Sequence, residues 1–202
     1  MFTSLGADRV INGGQTMNPS AEDLVNAIKD VSAREVIILP NNRNIILTAK
    51  QAQSLSQKPV QVVPTKFFVQ GLSAMLAFDK DEPSGKNAEK MAKAFTHVKA
   101  GEVTYAVRNS SYDNMAINEG DILGLANGSI KVIGQDINKV VLDLLFELVD
   151  EENELITLFY GKDVSKDSAQ ELSEKIKTNF PDLDVDIHYG GQPLYYYLVS
   201  VE

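Results

Sequence analysis

Neutral polar side chains follow three predicted strands of this 202-residue chain. In open parallel sheets, ligands bind beyond the carboxyl ends of the strands, where loops and helix starts converge. Backbone N–H groups at helix starts attract carboxylates and phosphates, and nearby amides and hydroxyls can orient them. The same residue types are ordinary helix caps, so both interpretations stay open. The candidate residues on these loops are Gln15, Thr16, Asn18, Asn41, Asn42, Asn44 and Thr65.

A second polar segment, residues 188–193 (HYGGQP), follows a predicted strand near the C-terminus. In one interpretation, His188 acts as a base or as a covalent anchor for a carbonyl compound such as a ketose. In the other, it hydrogen-bonds a nearby backbone group. His188 and Gln192 complete the set of candidate ligand- or partner-binding residues. We expect residues that line one concave surface among Gln15, Thr16, Asn41, Asn42 and Thr65, together with His188 or Gln192.

The sequence also excludes several kinds of catalytic site. It contains no G-x-x-x-x-G-K-[ST] phosphate-binding loop, no G-x-G-x-x-G after a strand and no H-E-x-x-H motif. The absence of Cys removes disulfides, thiolate nucleophiles and thiolate zinc sites. We therefore predict neither a catalytic residue nor a metal site in this chain.

The charge is negative overall and unevenly distributed. The chain carries 19 Lys and Arg against 28 Asp and Glu, a net charge of -9, which argues against non-specific binding of nucleic acid. The first 100 residues have 12 basic and 9 acidic side chains, whereas the rest have 7 and 19. Such asymmetry is typical of docking surfaces, and it also serves solubility. The densest acidic run, residues 150–154 (DEENE), is either a docking candidate or a solvated corner between a helix and a strand.

No stretch of the sequence resembles a targeting or membrane segment. A run of about 18 apolar residues, the minimum for a membrane span, does not occur. The first residues lack the basic start and apolar stretch of a signal peptide. We therefore expect a cytoplasmic protein.

Strand and helix patterns alternate in the first half of the chain. Short β-branched runs favour strands of a parallel sheet that is covered on both faces. Ser20 and Asp23 have the spacing of a capping box at the start of a helix. The predicted strands here are residues 9–11, 36–39 and 60–63, and the predicted helices begin after Ser20 and cover 44–55 and about 88–98.

The second half has a different pattern. Asn127-Gly128 between two apolar runs is a strong hairpin signal, because Asn and Gly readily take the positive φ angles of a tight turn. The other predicted elements are helices over 136–149 and 165–179 and strands over 155–160, 183–188 and 195–201. We predict an α/β protein of two lobes, residues 1–99 with a parallel sheet and residues 100–202 with a mixed sheet and a β-hairpin.

Several segments resemble one protein family. Residues 5–20 (LGADRVINGGQTMNPS), 36–44 (VIILPNNRN) and the tail HYGGQPLYYYLVSVE closely resemble the C-terminal part of the bacterial YloV-like proteins. Residues 63–66 (VPTK) with Gln70-Gly71, and residues 101–108 (GEVTYAVR), extend the match over essentially the whole chain. This family includes the catalytic subunit of bacterial fatty acid kinase.

The resemblance implies a fold and a set of partners. The fold would be that shared by DegV-type fatty-acid-binding proteins and the substrate-binding subunit of dihydroxyacetone kinase. The family's kinase domain, which uses ATP and magnesium, lies upstream, so no cofactor is expected in this chain. The partners would be that kinase domain and a DegV-type protein that carries the acyl chain. The sequence departs from the lipid carriers in having no S-Q-P triplet.

Two functions remain from these observations. The first is a non-catalytic docking region that engages the acyl-carrying DegV-type partner, so that the upstream kinase domain can phosphorylate the acyl group. The alternative is a domain that binds a small molecule or an acyl carboxylate with its strand-end loops. A third possibility, ketose chemistry at His188, would make the chain an enzyme.

Overall fold

The chain folds into two compact units, residues 1–97 and 98–202. The structure is a computed structural model and describes residues 1–11, 18–113 and 115–202. The first unit contains a parallel pair of strands, and the second contains a six-stranded mixed sheet that includes a hairpin. This arrangement confirms the predicted α/β class. Among the described residues, none of the helices is long and apolar enough to cross a membrane.

Two short parallel strands lie among the helices of the first unit. Its elements are a 3-10 helix at Phe2–Leu5, α1 at Ala21–Asp30, β1 at Val36–Ile38, α2 at Ile46–Leu55, β2 at Val60–Val62, α3 at Phe68–Leu76 and α4 at Ser84–Ala94. Val36 pairs with Val60, and Ile38 pairs with Val62. The carboxyl ends of β1 and β2 are therefore neighbours, as the sequence pattern predicts.

Helix α1 begins at the predicted capping box. The Ser20 hydroxyl accepts a hydrogen bond from the Asp23 N–H (3.1 Å), and the Ser20 N–H donates to the Asp23 carboxylate (2.9 Å). The Ser20 hydroxyl also donates to that carboxylate, and these bonds hold the pKa of Asp23 below its usual value. The box fixes the start of the helix, so that Leu24 and Ile28 are buried in the core of this unit.

The other end of α1 is closed by Lys58, which lies just before β2. Its ammonium group donates to the carbonyl oxygens of Ile28 (3.0 Å), Lys29 (3.3 Å) and Val31. The last carbonyls of a helix have no partner within the helix and carry a partial negative charge, so a cation stabilises them. Lys58 thereby ties the end of α1 to the strand that carries Val60.

The second unit is built on a mixed sheet with helices packed against it. Its elements are β3 at Lys99–Tyr105, β4 at Ser110–Tyr112, β5 at Met115–Ile117, β6 at Ile122–Ala126, β7 at Ser129–Gly134, α5 at Ile137–Leu148, β8 at Leu155–Tyr160, α6 at Lys166–Asn179, β9 at Asp184–Tyr189 and β10 at Tyr195–Val201. The strand order is β7-β6-β3-β10-β8-β9, and only β8 and β9 are parallel neighbours in this sheet. Strands β4 and β5 form a separate antiparallel pair.

Strand directions bring several connections to one end of the six-stranded sheet. Thr104 near the end of β3 pairs with Tyr195 at the start of β10. Tyr160 at the end of β8 pairs with Tyr197 on one side and with Tyr189 on the other. The loops that follow β3, β8 and β9 therefore meet at the same end of the sheet, which we call the upper end.

The observed elements differ from the expected ones in several places. Residues 9–11 form no strand, and Val10 is exposed, since β-branched residues make a strand only when a neighbour pairs with them. The helix expected over 88–98 is Ser84–Ala94. Helix α3 and strands β3, β4 and β5 are not among the predicted elements. Strand β3 contains Gly101 and Glu102, which lower its intrinsic β-propensity, but pairing on both sides overrides that preference.

We expect Lys58→Met to lower the free energy of unfolding by about 1–2 kcal/mol, because it leaves the carbonyls at the end of α1 without their cation. Urea unfolding of the chain measures this loss. Lys50→Met, a change of an exposed lysine in α2, is the matched control and should stay within about 0.5 kcal/mol of wild type. Equal losses in the two variants would contradict the role of Lys58.

Candidate functional site

The loops after β1 and β2 are joined by two hydrogen bonds between Asn41 and Thr65. The Asn41 N–H donates to Thr65 Oγ1 (2.9 Å), and the Thr65 hydroxyl donates to Asn41 Oδ1 (2.8 Å). Thr65 is fully buried, and Asn41 has a left-handed backbone with φ 55°. Asn tolerates this conformation better than most residues. Two residues that the sequence places at neighbouring strand ends therefore bond each other.

The glycine at position 71 makes room for the Asn41 side chain. Gly71 lies near the start of α3, and a Cβ added there would be 2.0 Å from Asn41 Oδ1. A real Cβ atom does not approach another atom so closely, so the position of Asn41 requires a glycine here. The Asn41 amide thus occupies space beside α3, beyond the strand ends, where an open sheet would hold a ligand.

The rest of the loop after β1 starts the next helix. The Asn42 side-chain oxygen accepts a hydrogen bond from the Asn44 N–H (2.9 Å), and the Asn42 carbonyl accepts one from the Ile45 N–H (3.0 Å). An Asn side chain that bonds the backbone two residues later forms a turn of its own. The Arg43 guanidinium lies 5.4 Å from the centre of the Phe67 ring, a cation–π distance. Asn42 thus has the turn-forming role that the sequence left open.

The remaining candidates of the first unit lie at the beginning of the chain. Asn18 is exposed and precedes the Ser20 cap of α1. Gln15 and Thr16 fall outside the described residues. That these residues share one surface with Asn41 and Thr65 stays a prediction.

His188 and Gln192 belong to the second unit and lie at its upper end. The His188 ring is exposed and stacks on Phe159, with centroids 5.7 Å apart and planes at 26°. Gln192 Nε2 donates to the Phe159 carbonyl (2.8 Å). The Gly190 N–H donates to the Tyr160 carbonyl (2.9 Å). These bonds hold the loop between β9 and β10 against the end of β8. Gln192 therefore has a structural role in this loop.

The acidic run at residues 150–154 forms the corner between α5 and β8. The Lys99 ammonium donates to the Asp150 carboxylate and to Asn153 Oδ1 (2.9 Å). The bond from Lys99, and then the one from the Glu152 N–H, hold the pKa of Asp150 below its usual value. Asp150 therefore has a partner within its own unit, whereas Glu151, Glu152 and Glu154 are exposed.

Sequence reasoning missed two residues that shape these regions. Gly71 carries a signal only as part of a family motif, because the sequence pattern predicts no helix around it. The second residue is Asp121, which is only 4% exposed. The sequence pattern predicts that Asp121 begins a hairpin strand and does not indicate a polar cluster around it. In residues 1–11, 18–113 and 115–202, no group of three or more His, Asp or Glu side chains is arranged to hold a metal ion.

The fold is that of DegV-type proteins and of dihydroxyacetone kinase. The fatty acid kinase B3 protein of Streptococcus pneumoniae, solved loaded with linoleic acid, has a TM-score of 0.60 at 14% identity, over 91% of this chain and 76% of that one. A fatty-acid-binding DegV family protein from Thermus thermophilus gives 0.57 at 12% identity, over 92% and 78%. The dihydroxyacetone kinase of C. freundii, in complex with AMP-PNP and Mg²⁺, gives 0.58 at 12% identity, over 91% and 42%.

The chain belongs to the FakA-like C-terminal family of fatty acid kinase proteins, whose model matches residues 1–202. Protein YloV of Bacillus subtilis is 44% identical over the whole chain, and the chain covers 36% of YloV. An uncharacterised protein of Staphylococcus haemolyticus is 39% identical, with 37% of its length covered. The chain thus spans little more than a third of the curated relatives it matches, and the expected family is confirmed.

We expect Gly71→Ala to destabilise the first unit, because the added methyl group displaces Asn41 and breaks its bonds to Thr65. Gly85→Ala in α4 is the matched control: a Cβ there meets nothing within 4 Å, and replacing a helical glycine by alanine should add about 0.5–1 kcal/mol. Thermal unfolding compares the two variants with wild type.

Asn41→Gly tests whether the side chain at position 41 is responsible. Glycine accepts the φ of 55° and leaves the space beside α3 empty. Gly71→Ala should therefore cost little in the Asn41→Gly background, which gives a coupling energy between the two positions. Additive effects of the two changes would contradict the contact.

Proposed function

We propose that this chain is the docking region of a fatty-acid-kinase-like protein and engages an acyl-carrying, DegV-type partner. The chain supplies no catalytic residue in this scheme. Phosphoryl transfer, with its ATP and magnesium, belongs to a kinase domain upstream in the whole protein. YloV has nearly two thirds of its length outside the matched region, which is ample for such a domain.

The observation that carries the proposal is the closure of the strand-end loops in the first unit. The Thr65 hydroxyl, which could donate to a carboxylate, donates to the Asn41 amide oxygen instead. A carboxylate that entered here would have to break this pair, and leaving a buried polar group unpaired costs about 1–3 kcal/mol. The loops therefore favour contact with a protein over capture of an acyl carboxylate.

Family and fold add a second line of support. The chain belongs to the FakA-like C-terminal family, and the pneumococcal B3 protein, a structural neighbour, is named as part of fatty acid kinase and was solved with linoleic acid. Two proteins with the same fold need not share a ligand-binding site. We infer that the lipid is held by a partner of the B type, while this chain presents that partner to the kinase domain.

Binding measurements separate docking from direct lipid binding. We expect the chain to bind an oleate-loaded DegV-type protein of the same organism saturably in biolayer interferometry. We expect no saturable binding of free oleate or palmitate to the chain alone in isothermal titration calorimetry. Saturable oleate binding without affinity for the carrier would overturn the proposal in favour of an acyl-carboxylate-binding domain.

A competition assay adds a functional readout. Excess chain should slow the phosphorylation of carrier-bound oleate by the full-length kinase, because it occupies the carrier. Heat-unfolded chain at the same concentration serves as the control. No inhibition at concentrations that saturate the carrier would show that this binding does not serve the reaction.

The isolated chain should neither hydrolyse ATP nor phosphorylate a fatty acid. Phosphoryl transfer requires a cradle for the phosphates and carboxylates that hold magnesium, and the sequence contains no phosphate-binding loop motif. Release of phosphate from ATP by the purified chain is the measurement. Turnover that a single substitution within residues 1–202 abolishes would show that the chain has a catalytic role.

A further inference from the structure

Strand β9, with the sequence DVDIHY, lies at one edge of the six-stranded sheet. It pairs with β8 on one side, and no strand within residues 98–113 and 115–202 pairs with its other side. An unpaired strand edge offers a row of backbone N–H and C=O groups to another chain. The outer side of β9 therefore has the backbone groups that the addition of a further strand requires.

The hydrogen bonds to β8 show which residues of β9 direct their backbone groups outward. The Asp184 N–H donates to the Glu154 carbonyl (2.9 Å), and the Gly190 N–H donates to the Tyr160 carbonyl (2.9 Å). The register between these two bonds has no shift. Since alternate residues of a strand bond the same neighbour, the even-numbered residues of β9 bond β8 and the odd-numbered ones face outward. The outward residues are Val185, Ile187 and Tyr189.

The two faces of β9 differ in chemistry. Val185 and Ile187 pack against the core cluster of the second unit, on the face that α6 covers. The side chains of Asp184, Asp186 and His188 alternate with them and are exposed on the opposite face. Along its exposed face β9 therefore presents two carboxylates followed by an imidazole.

The opposite edge of the sheet, strand β7, is protected against pairing. Val132 lies opposite Gly124 and Ile130 lies opposite Leu125, so Lys131 between them is an extra residue that bulges from the strand. A bulge and a lysine both hinder pairing at an edge. Strand β9 has a regular register with β8 and contains neither Lys nor Pro. The fold thus protects one edge of the sheet and leaves the other open.

The charges of β9 select one register for pairing with a second copy of itself. Two copies of a strand can pair antiparallel about a two-fold axis, and the residue on the axis defines the register. With Val185 on the axis, Asp184 of each copy faces Asp186 of the other; with Asp186 on the axis, Asp186 faces itself. With His188 on the axis, His188 faces itself. Only with Ile187 on the axis does Asp186 of each copy face His188 of the other.

We propose that β9 pairs in this register with β9 of a second copy of the chain. The outward residues then exchange backbone hydrogen bonds, Ile187 with Ile187 and Val185 with Tyr189. Asp186 and His188 meet at non-hydrogen-bonded positions, where facing Cα atoms are about 4.5 Å apart and side chains approach most closely. An imidazole N–H donates to a carboxylate in either protonation state of the ring. This inference goes beyond the proposed docking function and does not depend on it.

The dimer is expected to be weak. A contact made by one strand from each copy buries less than the roughly 1,200–2,000 Å² of standard interfaces, which is typical of transient complexes. The net charge of -9 on each copy also opposes association. The same carboxylates that exclude the other registers therefore keep the edge from forming a permanent contact.

Sedimentation velocity of the chain tests the proposal. We expect wild type to convert from monomer to dimer between about 0.01 and 0.5 mM, the range of a weak complex. His188→Asp replaces both Asp–His pairs by Asp–Asp pairs and should raise the dimer Kd at least about tenfold. His97→Asp makes the same change at the other histidine of the chain, which is exposed and ends the first unit. This control should leave Kd unchanged.

A charge swap separates pairing across the axis from the loss of the His188 ring. The double variant Asp186→His, His188→Asp keeps the composition and net charge, and it again places a histidine opposite a carboxylate in the proposed register. It should bring Kd back to within about threefold of wild type. The swap lacks the stacking of His188 on Phe159, just as His188→Asp does, so stacking cannot account for the recovery.

A backbone variant tests the hydrogen bonds directly. Tyr189→Pro removes an outward N–H that would donate to Val185 of the other copy, and proline is tolerated on an edge strand where its nitrogen faces solvent. Tyr189→Ala removes the same side chain but keeps the N–H, so it is the matched control. The proline variant should raise Kd at least about tenfold more than the alanine variant.

The results that overturn the proposal are distinct. Wild type that stays monomeric throughout the range would show that β9 does not pair. A dimer that both His188→Asp and Tyr189→Pro leave intact, with native circular dichroism, would place the contact elsewhere on the chain. Assemblies larger than a dimer would also overturn it, because a contact between β9 and a different surface does not close after two copies. If His188→Asp fails to fold, the charge swap and Tyr189→Pro decide the outcome.

Discussion

Three glycines on neighbouring strands allow α5 to lie directly on the sheet of the second unit. A Cβ at Gly101 of β3 would be 2.9 Å from Leu148, and one at Gly134 of β7 would be 2.8 Å from Val140. At Gly124 of β6, the corresponding distance to Val140 is 3.2 Å. Larger side chains at these positions would push α5 away from the sheet and open voids in a core that is otherwise close-packed. The position of α5 also determines where Gln135, the residue just before it, lies.

The start of α5 is linked to the exposed hairpin of β4 and β5. Gln135 lies just before the helix and donates to the buried carboxylate of Asp121, which also accepts from the Asn118 N–H. A buried carboxylate is tolerated when several donors surround it, and here the donors come from both sides of the β6–β7 hairpin. The glycines allow α5 to pack on the sheet, and the residue just before α5 bonds the polar cluster around Asp121. The interior of the unit fixes where an exposed hairpin begins and ends.

The first unit closes the loops at its strand ends with its own side chains. The solved neighbours include proteins loaded with fatty acids, yet at 12–14% identity they share only the architecture with this chain. The loops after β1 and β2 are closed by Asn41, Thr65 and the space above Gly71. Substitutions in the loops at strand ends can fill a ligand site with the protein's own side chains, because such substitutions leave the sheet unchanged. This closure is the physical reason for proposing docking rather than lipid binding.

Local patterns and long motifs were enough to predict the α/β class, the capping box at Ser20, the Asn127-Gly128 hairpin and the family. It also placed Asn41 and Thr65 at neighbouring strand ends. The three-dimensional contacts alone show that these two residues bond each other, that residue 71 must be glycine, and that the Thr104 hydroxyl bonds the Leu194 carbonyl. These features are contacts between residues 24 to 90 positions apart, and local patterns carry no information about such distant pairs. Strand β3 shows the same limit, because its pairing with β6 and β10 overrides a sequence with weak strand preference.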